Sequence, residues 1–249
     1  MSINNNKGKV YIVGAGPGDP ELISLKGVRA LRTADCVLYD FLSAPELLRE
    51  VQPSCEKICV GKSDGLHLKE QNQINRLLYK KSLAFKTVVR LKGGDPFIFS
   101  RGAEEARYLN LKKVNYEIIP GITSALAGPL SAEIPLTIKN RISSVAILTG
   151  RKKDKKALID APDCETLVYL MAVANIGNVV KALRKSGRKD TVPCAFIERA
   201  TTKKSRILQA TIGTIEKRSK KSKIKPPAVL IVGEVVRERV RQFRNDKRK

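Results

Sequence analysis

Three times in its first half the chain passes from a β-branched run through a glycine-bearing turn into a helical stretch, and this limits its possible folds more than any other feature. The turns are Gly14-Ala15-Gly16-Pro17-Gly18-Asp19-Pro20, Gly93-Gly94-Asp95-Pro96 and Pro120-Gly121-Ile122-Thr123-Ser124. Strand, turn and helix in repetition point to parallel strands, which hairpins cannot join and helical crossovers can. Short apolar runs predict strands over 9–13, 36–39, 57–60, 87–91 and 116–119. Helical spacing predicts helices over 21–33, 45–51, 71–83, 103–109 and 123–132.

Near residue 140 the pattern restarts. Strands are expected at 144–148, 166–170, 194–197, 206–211 and 228–232, and helices at 176–185, 212–217 and 235–243. The runs at 194–197 and 206–211 follow each other closely, which predicts an antiparallel hairpin. A chain of 249 residues can hold two domains. The expected fold class is therefore α/β in two domains, 1–138 with a mainly parallel sheet and 139–249 with a mixed one.

Charge narrows the partners. The chain carries 48 Lys and Arg against 24 Asp and Glu, a net +24. Residues 1–138 hold 19 basic and 14 acidic side chains, and residues 139–249 hold 29 and 10. Such an excess suits either nucleic-acid phosphates or a polycarboxylate small molecule. Aromatic residues hardly interleave with the basic runs at 151–156, 184–189 and 217–225, which disfavours a stacking single-strand binder. Solvated basic faces explain the runs equally well.

The five cysteines form no Cys-x-x-Cys pair, and His67 is the single histidine, so no metal centre is expected. Cys36 and Cys194 read as small apolar residues inside strands. With no apolar run long enough to span a bilayer and no secretory segment at Met1, a cytoplasmic protein without membrane contact is expected.

The first turn is a poor nicotinamide fingerprint, because Asp19 stands where a third glycine would pack the helix. Read alone, it is a tight strand-to-helix turn with Asp19 suited to cap the helix. The second lies within Arg90-Leu91-Lys92-Gly93-Gly94-Asp95-Pro96-Phe97-Ile98-Phe99, followed by Arg101-Gly102-Ala103-Glu104-Glu105. It delivers Asp95 at a strand's carboxyl end, where open α/β sheets bind ligands. In the third, Thr123 either caps a helix or offers its hydroxyl to a cofactor.

On these motifs the chain resembles the tetrapyrrole methylases, and within them the branch acting on uroporphyrinogen III. The likeness runs over about residues 9–240, and also rests on Gly61-Lys62, Gln71-x-x-Ile74-Asn75, Ile134-Pro135-Leu136-Thr137, Thr149-Gly150 and Gly233-Glu234-Val235-Val236. The Arg90–Phe99 segment carries the most specific match. The resemblance implies a homodimeric two-domain enzyme with its active site in the cleft between domains. It would add methyl groups from S-adenosylmethionine to C-2 and C-7 of uroporphyrinogen III, giving precorrin-2 for sirohaem or cobalamin synthesis.

By position, the resemblance places cofactor contacts on Pro17, Gly93, Gly94, Asp95, Ile98, Thr123, Ser124, Met171 and Ala200. It makes Asp40 the proton acceptor and Lys62 the proton donor, with Lys62 and Arg101 attracting substrate carboxylates. Some positions depart from the family pattern, among them Ala103, which stands where a glycine is common. Ser63 stands where an arginine is usual, and Ser100 is expected to strain a turn suited to glycine. The alternatives are a later corrin-ring methyltransferase of the same fold and a basic nucleic-acid-binding protein. A nicotinamide oxidoreductase is a weaker third.

Overall fold

The computed structural model describes residues 7–40, 45–61, 70–152 and 158–240. The chain divides into two compact units, Met1–Thr123 and Ser124–Lys249. The unit boundary thus lies at the start of the helix expected over 123–132, whereas the sequence reading placed it where the strand pattern restarts.

The first unit contains β1 (Lys9–Gly14), α1 (Leu25–Arg32), β2 (Cys36–Tyr39), β3 (Glu56–Cys59), α2 (Gln71–Ala84), β4 (Thr87–Lys92), α3 (Gly102–Leu111) and β5 (Tyr116–Ile119). Its five strands form a parallel sheet in the order β3-β2-β4-β1-β5. Both faces of the sheet are covered, as crossover helices require. On one face Val13, Val37, Val89 and Leu91 pack with Leu31 of α1 and with Leu47. On the other, Val10, Ile12, Leu38 and Val88 pack with Leu78 of α2 and Leu109 of α3.

The second unit contains α4 (Ser124–Ser131), β6 (Val145–Thr149), β7 (Thr166–Leu170), α5 (Ile176–Lys185), β8 (Pro193–Glu198), β9 (Arg206–Thr211), α6 (Ile215–Lys221) and β10 (Ala228–Val232). The sheet order is β6-β7-β10-β8-β9. Only β6 and β7 run parallel; β8 and β9 form the expected hairpin, and β10 runs antiparallel to both β7 and β8. Helix α5 buries Ile176, Val179, Val180 and Leu183, an apolar stripe at helical spacing. Cys36 and Cys194 are fully buried in their strands, and burial pushes both thiols up to about 12. They serve as core residues, not nucleophiles.

Several helix boundaries differ from the sequence reading because local caps decide them. The stretch 21–33 splits into a 3-10 turn, Pro20–Leu22, and α1. Asp19 accepts from the Glu21 amide at 3.0 Å, and Ser24 accepts from the Gly27 amide at 3.1 Å, which restarts the helix at Leu25. The stretch 45–51 is a short 3-10 turn, Pro45–Arg49. The turn closed by the Thr214 amide on the Thr211 carbonyl delays α6 to Ile215. Of the helix expected over 235–243, a 3-10 turn at Glu234–Glu238 is present, and 241–243 lie outside the described residues. No described helix is long and apolar enough to cross a membrane.

Candidate active site

In the first unit β1 lies between β4 and β5, so the turns that follow these three strands emerge side by side at their carboxyl ends. They are joined through the backbone. The Ala15 amide donates to the Lys92 carbonyl at 2.7 Å, and Gly16 and Gly94 exchange hydrogen bonds of 3.3 and 2.7 Å. A Cβ on Gly121 would fall 2.3 Å from the Gly94 oxygen and 2.6 Å from the Gly14 Cα. Only glycine permits that approach. The Asp95 carboxylate completes the joint, accepting from the Phe97 amide at 2.8 Å and the Gly121 amide at 3.2 Å.

Six predicted cofactor residues, Pro17, Gly93, Gly94, Asp95, Ile98 and Thr123, belong to these three turns. At Gly94 the backbone has φ 69°, and among the described residues a Cβ there would meet only the Thr123 Cα, at 3.9 Å. The Cβ side of Gly94 is therefore open to a ligand, whereas Gly14 and Gly121 are closed by backbone. Phe97, Ile98 and Phe99 expose apolar side chains beside it.

Next to this mouth the ends of β2 and β4 carry a buried charge cluster. Arg90 is 2% exposed, and its Nη2 donates to Asp40 Oδ1 at 2.5 Å. Its Nη1 donates to the Leu91 carbonyl at 3.1 Å, and its Nε to Glu105 Oε1 at 3.1 Å. Lys92 Nζ and Gln71 Nε2 reach the same Glu105 oxygen, each at 3.1 Å. Burial alone would lower the Arg90 pKa, but the Glu105 and Asp40 carboxylates outweigh it and raise it. At Lys92, burial and the Arg90 charge outweigh Glu105 and lower the pKa. Asp40, one residue past β2, keeps a partly exposed carboxylate.

The sequence reading gave Arg90, Lys92 and Glu105 no role. The signal was present: Arg90 and Lys92 sit two apart, on one face of a strand otherwise made of Thr, Val and Leu. A charge inside such a strand needs a buried partner, and Glu105 in the first turn of α3 supplies it.

Arg101 is the residue that precedes α3, at its N-cap. It has φ 60° and pairs in a fork with Glu104, at 2.9 and 2.6 Å. Ser100 does not carry the strain expected of it. Phe99 and Arg101 take the left-handed conformation instead, at φ 50° and 60°, and the Ser100 hydroxyl donates to the Pro96 carbonyl at 2.5 Å. Lys62, Ser63 and His67 lie outside the described residues.

In the second unit, Ser124 opens α4. Met171 follows β7 with φ 58° and a half-exposed side chain. Its neighbour Ala172 packs against Gly150, where a Cβ would come within 2.5 Å of the Ala172 Cα, and Asn175 Nδ2 donates to the Gly150 carbonyl at 2.9 Å. Ala200, after β8, is buried between Arg199 and Thr201, both at positive φ. Non-glycine residues in that conformation cost energy that surrounding structure must offset, and they gather at ligand-binding turns.

The comparisons with known proteins agree with this arrangement. Residues 9–216 match the family Tetrapyrrole (Corrin/Porphyrin) Methylases. The chain is 45% identical over 234 residues to a uroporphyrinogen-III C-methyltransferase of Methanocaldococcus jannaschii, covering 92% of this chain and 97% of that one. It is 39% identical over 249 residues to a sirohaem synthase of Hydrogenovibrio crunogenus, covering 96% of this chain but 53% of that longer protein. A uroporphyrin-III C-methyl transferase from Thermus thermophilus, solved with S-adenosyl homocysteine, superposes with a TM-score of 0.77 at 40% identity, covering 92% of this chain and 99% of that one. From its motifs, its two sheets and these likenesses, the chain belongs to the tetrapyrrole (corrin/porphyrin) methylase family.

Proposed function

We propose that this protein methylates carbon atoms of uroporphyrinogen III with S-adenosylmethionine, adding two methyl groups, at C-2 and C-7, to give precorrin-2. The observation that carries the reading is the three-turn joint at the ends of β1, β4 and β5, with Gly94 open beside it. It supplies backbone and a fixed carboxylate at the edge where parallel sheets bind ligands. Bound there, S-adenosylmethionine supplies a methyl group on a strongly electrophilic sulfonium. The chain's own tasks are then to align a nucleophilic ring carbon with that methyl and to take up the proton which the substrate loses.

Pro17, Gly93, Gly94, Asp95, Ile98, Thr123, Ser124, Met171 and Ala200 hold the cofactor, as the family resemblance implies. Asp40 accepts the proton, with Arg90 fixing one carboxylate oxygen so that the group stays oriented. Lys62 donates a proton and, with Arg101, draws in substrate carboxylates; Arg101 would exchange Glu104 for them. The same reading makes the protein a cytoplasmic homodimer serving sirohaem or cobalamin synthesis, with no nucleic-acid partner.

Anaerobic incubation of the purified protein with both substrates, followed by mass spectrometry, tests the reading. The expected result is a product carrying two added methyl groups, lost in Asp40→Ala. An unmodified tetrapyrrole from a protein that still binds S-adenosylmethionine would move the substrate to a later corrin-ring intermediate.

A further inference from the structure

The buried cluster poses a physical question. Glu105 is fully buried, three donors converge on its Oε1, and its Oε2 has no hydrogen-bond partner among the described residues. A half-satisfied buried carboxylate between two buried cations is a costly way to hold a sheet to a helix, since well-packed apolar side chains do so equally well. Its geometry suggests what the cost serves. Arg90 is fixed at every arm: Nε on Glu105, Nη1 on the Leu91 carbonyl, Nη2 on Asp40. Nη1 also reaches the Leu38 carbonyl at 3.5 Å, and among the described residues Glu105 is the one side chain besides Asp40 that anchors the guanidinium.

We infer that Glu105 is a positioning residue for methyl transfer, acting through Arg90 to set the place and direction of the Asp40 carboxylate. The inference rests on the reading of Asp40 as proton acceptor. Glu105 sits in the first turn of α3, Arg90 on β4 and Asp40 at the end of β2, so the relay crosses the sheet from helix to strand end. Lys92 and Gln71 donate to the same Oε1 and help to hold it in place beside Arg90. Without Glu105, Arg90 loses its Nε anchor, only Asp40 is left to offset its charge beside Lys92, and its hold on Asp40 shifts.

A double-mutant cycle on the full-length protein tests this, with methyl transfer followed at saturating S-adenosylmethionine and varied uroporphyrinogen III. Glu105→Ala is expected to lower kcat roughly 100-fold, the scale of loss from misplacing a catalytic group by about 1 Å, with KM little changed. Glu105→Gln keeps an acceptor where Oε1 stands and places its amide where Oε2 has no partner, so it should recover most of that loss. Combined with Asp40→Asn, Glu105→Ala should cause little further loss, because residues that act as one unit are not additive.

Full kcat in Glu105→Ala would overturn the inference. So would a loss that adds in full to that of Asp40→Asn, since Glu105 would then act independently of Asp40. If Glu105→Ala does not fold, the charge-conserving Arg90→Lys takes its place in the cycle with Asp40→Asn, and full additivity there overturns the relay. If Asp40→Asn alone keeps full activity, the failure lies with Asp40 as proton acceptor, and the single variant identifies it.

Discussion

Gly121 has no room for one more carbon. A methyl there would meet backbone on two neighbouring turns, the Gly94 oxygen and the Gly14 Cα, and neither can rotate away as a side chain would. Gly121→Ala should therefore destabilise the protein by about 1–3 kcal/mol, the usual cost of overpacking. Urea unfolding would measure it, and S-adenosylmethionine affinity measured by calorimetry should fall in the same variant. Asp95 works on the same joint with a different force. Its two oxygens take two backbone amides from different turns, so Asp95→Ala should cost about 1–3 kcal/mol in lost hydrogen bonds to a charged group. Cofactor affinity should fall at least about tenfold, since the turn that presents Gly94 is no longer fixed. An Asp95→Ala protein that binds S-adenosylmethionine normally would show that the ligand does not depend on the turn this carboxylate fixes.

Among the elements, β4 combines two roles that are seldom found in one strand. Val89 and Leu91 face one core, while Val88, Arg90 and Lys92 face the other, so a single alternation delivers both packing and charge. The lowered pKa of Lys92 has a consequence for stability. Between that lowered value and the ordinary 10.5, the unfolded chain binds a proton that the folded chain has released. Stability contributed by this group therefore rises with pH across that window, and below it the cost of burying the charge is constant. Lys92→Met should flatten the pH dependence of unfolding free energy relative to the wild type on approach to 10.5. Denaturant titrations at several alkaline pH values would show it. On α5, Leu183 lies at the end of the buried stripe, and Leu183→Ala should cost about 2–5 kcal/mol in urea unfolding.

The elements were largely legible in the sequence because their signals are local. Strands such as Cys36–Tyr39, Thr166–Leu170 and Ala228–Val232 read directly from apolar runs between turn residues, and α5 from its stripe. What escaped depended on geometry that spacing does not encode. Ser24 competes with Asp19 to start α1, and only the hydrogen bonds show that each caps its own turn. Residue type alone predicts strain at Ser100, whereas the positive φ falls on its neighbours. The turns of the candidate site were visible as glycines, but the Arg90–Glu105 pairing was not, because its partners come from a strand and a helix brought together by the fold.

For the molecule as a whole, the charge is the feature that reaches furthest. Residues 139–249 carry 29 basic and 10 acidic side chains, and a field of that sign raises encounter with a polycarboxylate substrate. Added salt should thus lower kcat/KM for uroporphyrinogen III and leave kcat nearly unchanged, with most of the drop between about 0.01 and 0.15 M, as the screening length shortens. Steady-state kinetics over a salt series would measure it, and a flat kcat/KM would assign the basic runs to solvated faces alone.

The position of β1 in its sheet also sets a timetable. Within its sheet it is synthesised ahead of the other strands, yet its two neighbours are β4 and β5, so it stays unpaired until Thr87–Lys92 and then Tyr116–Ile119 have left the ribosome. Until then β1 is an apolar ribbon with both edges bare, the form of chain most prone to join a stranger. The turn that would face the cofactor is thus translated early and assembled late. Nascent chains halted before Ile119 should need a chaperone, and those released after it should not.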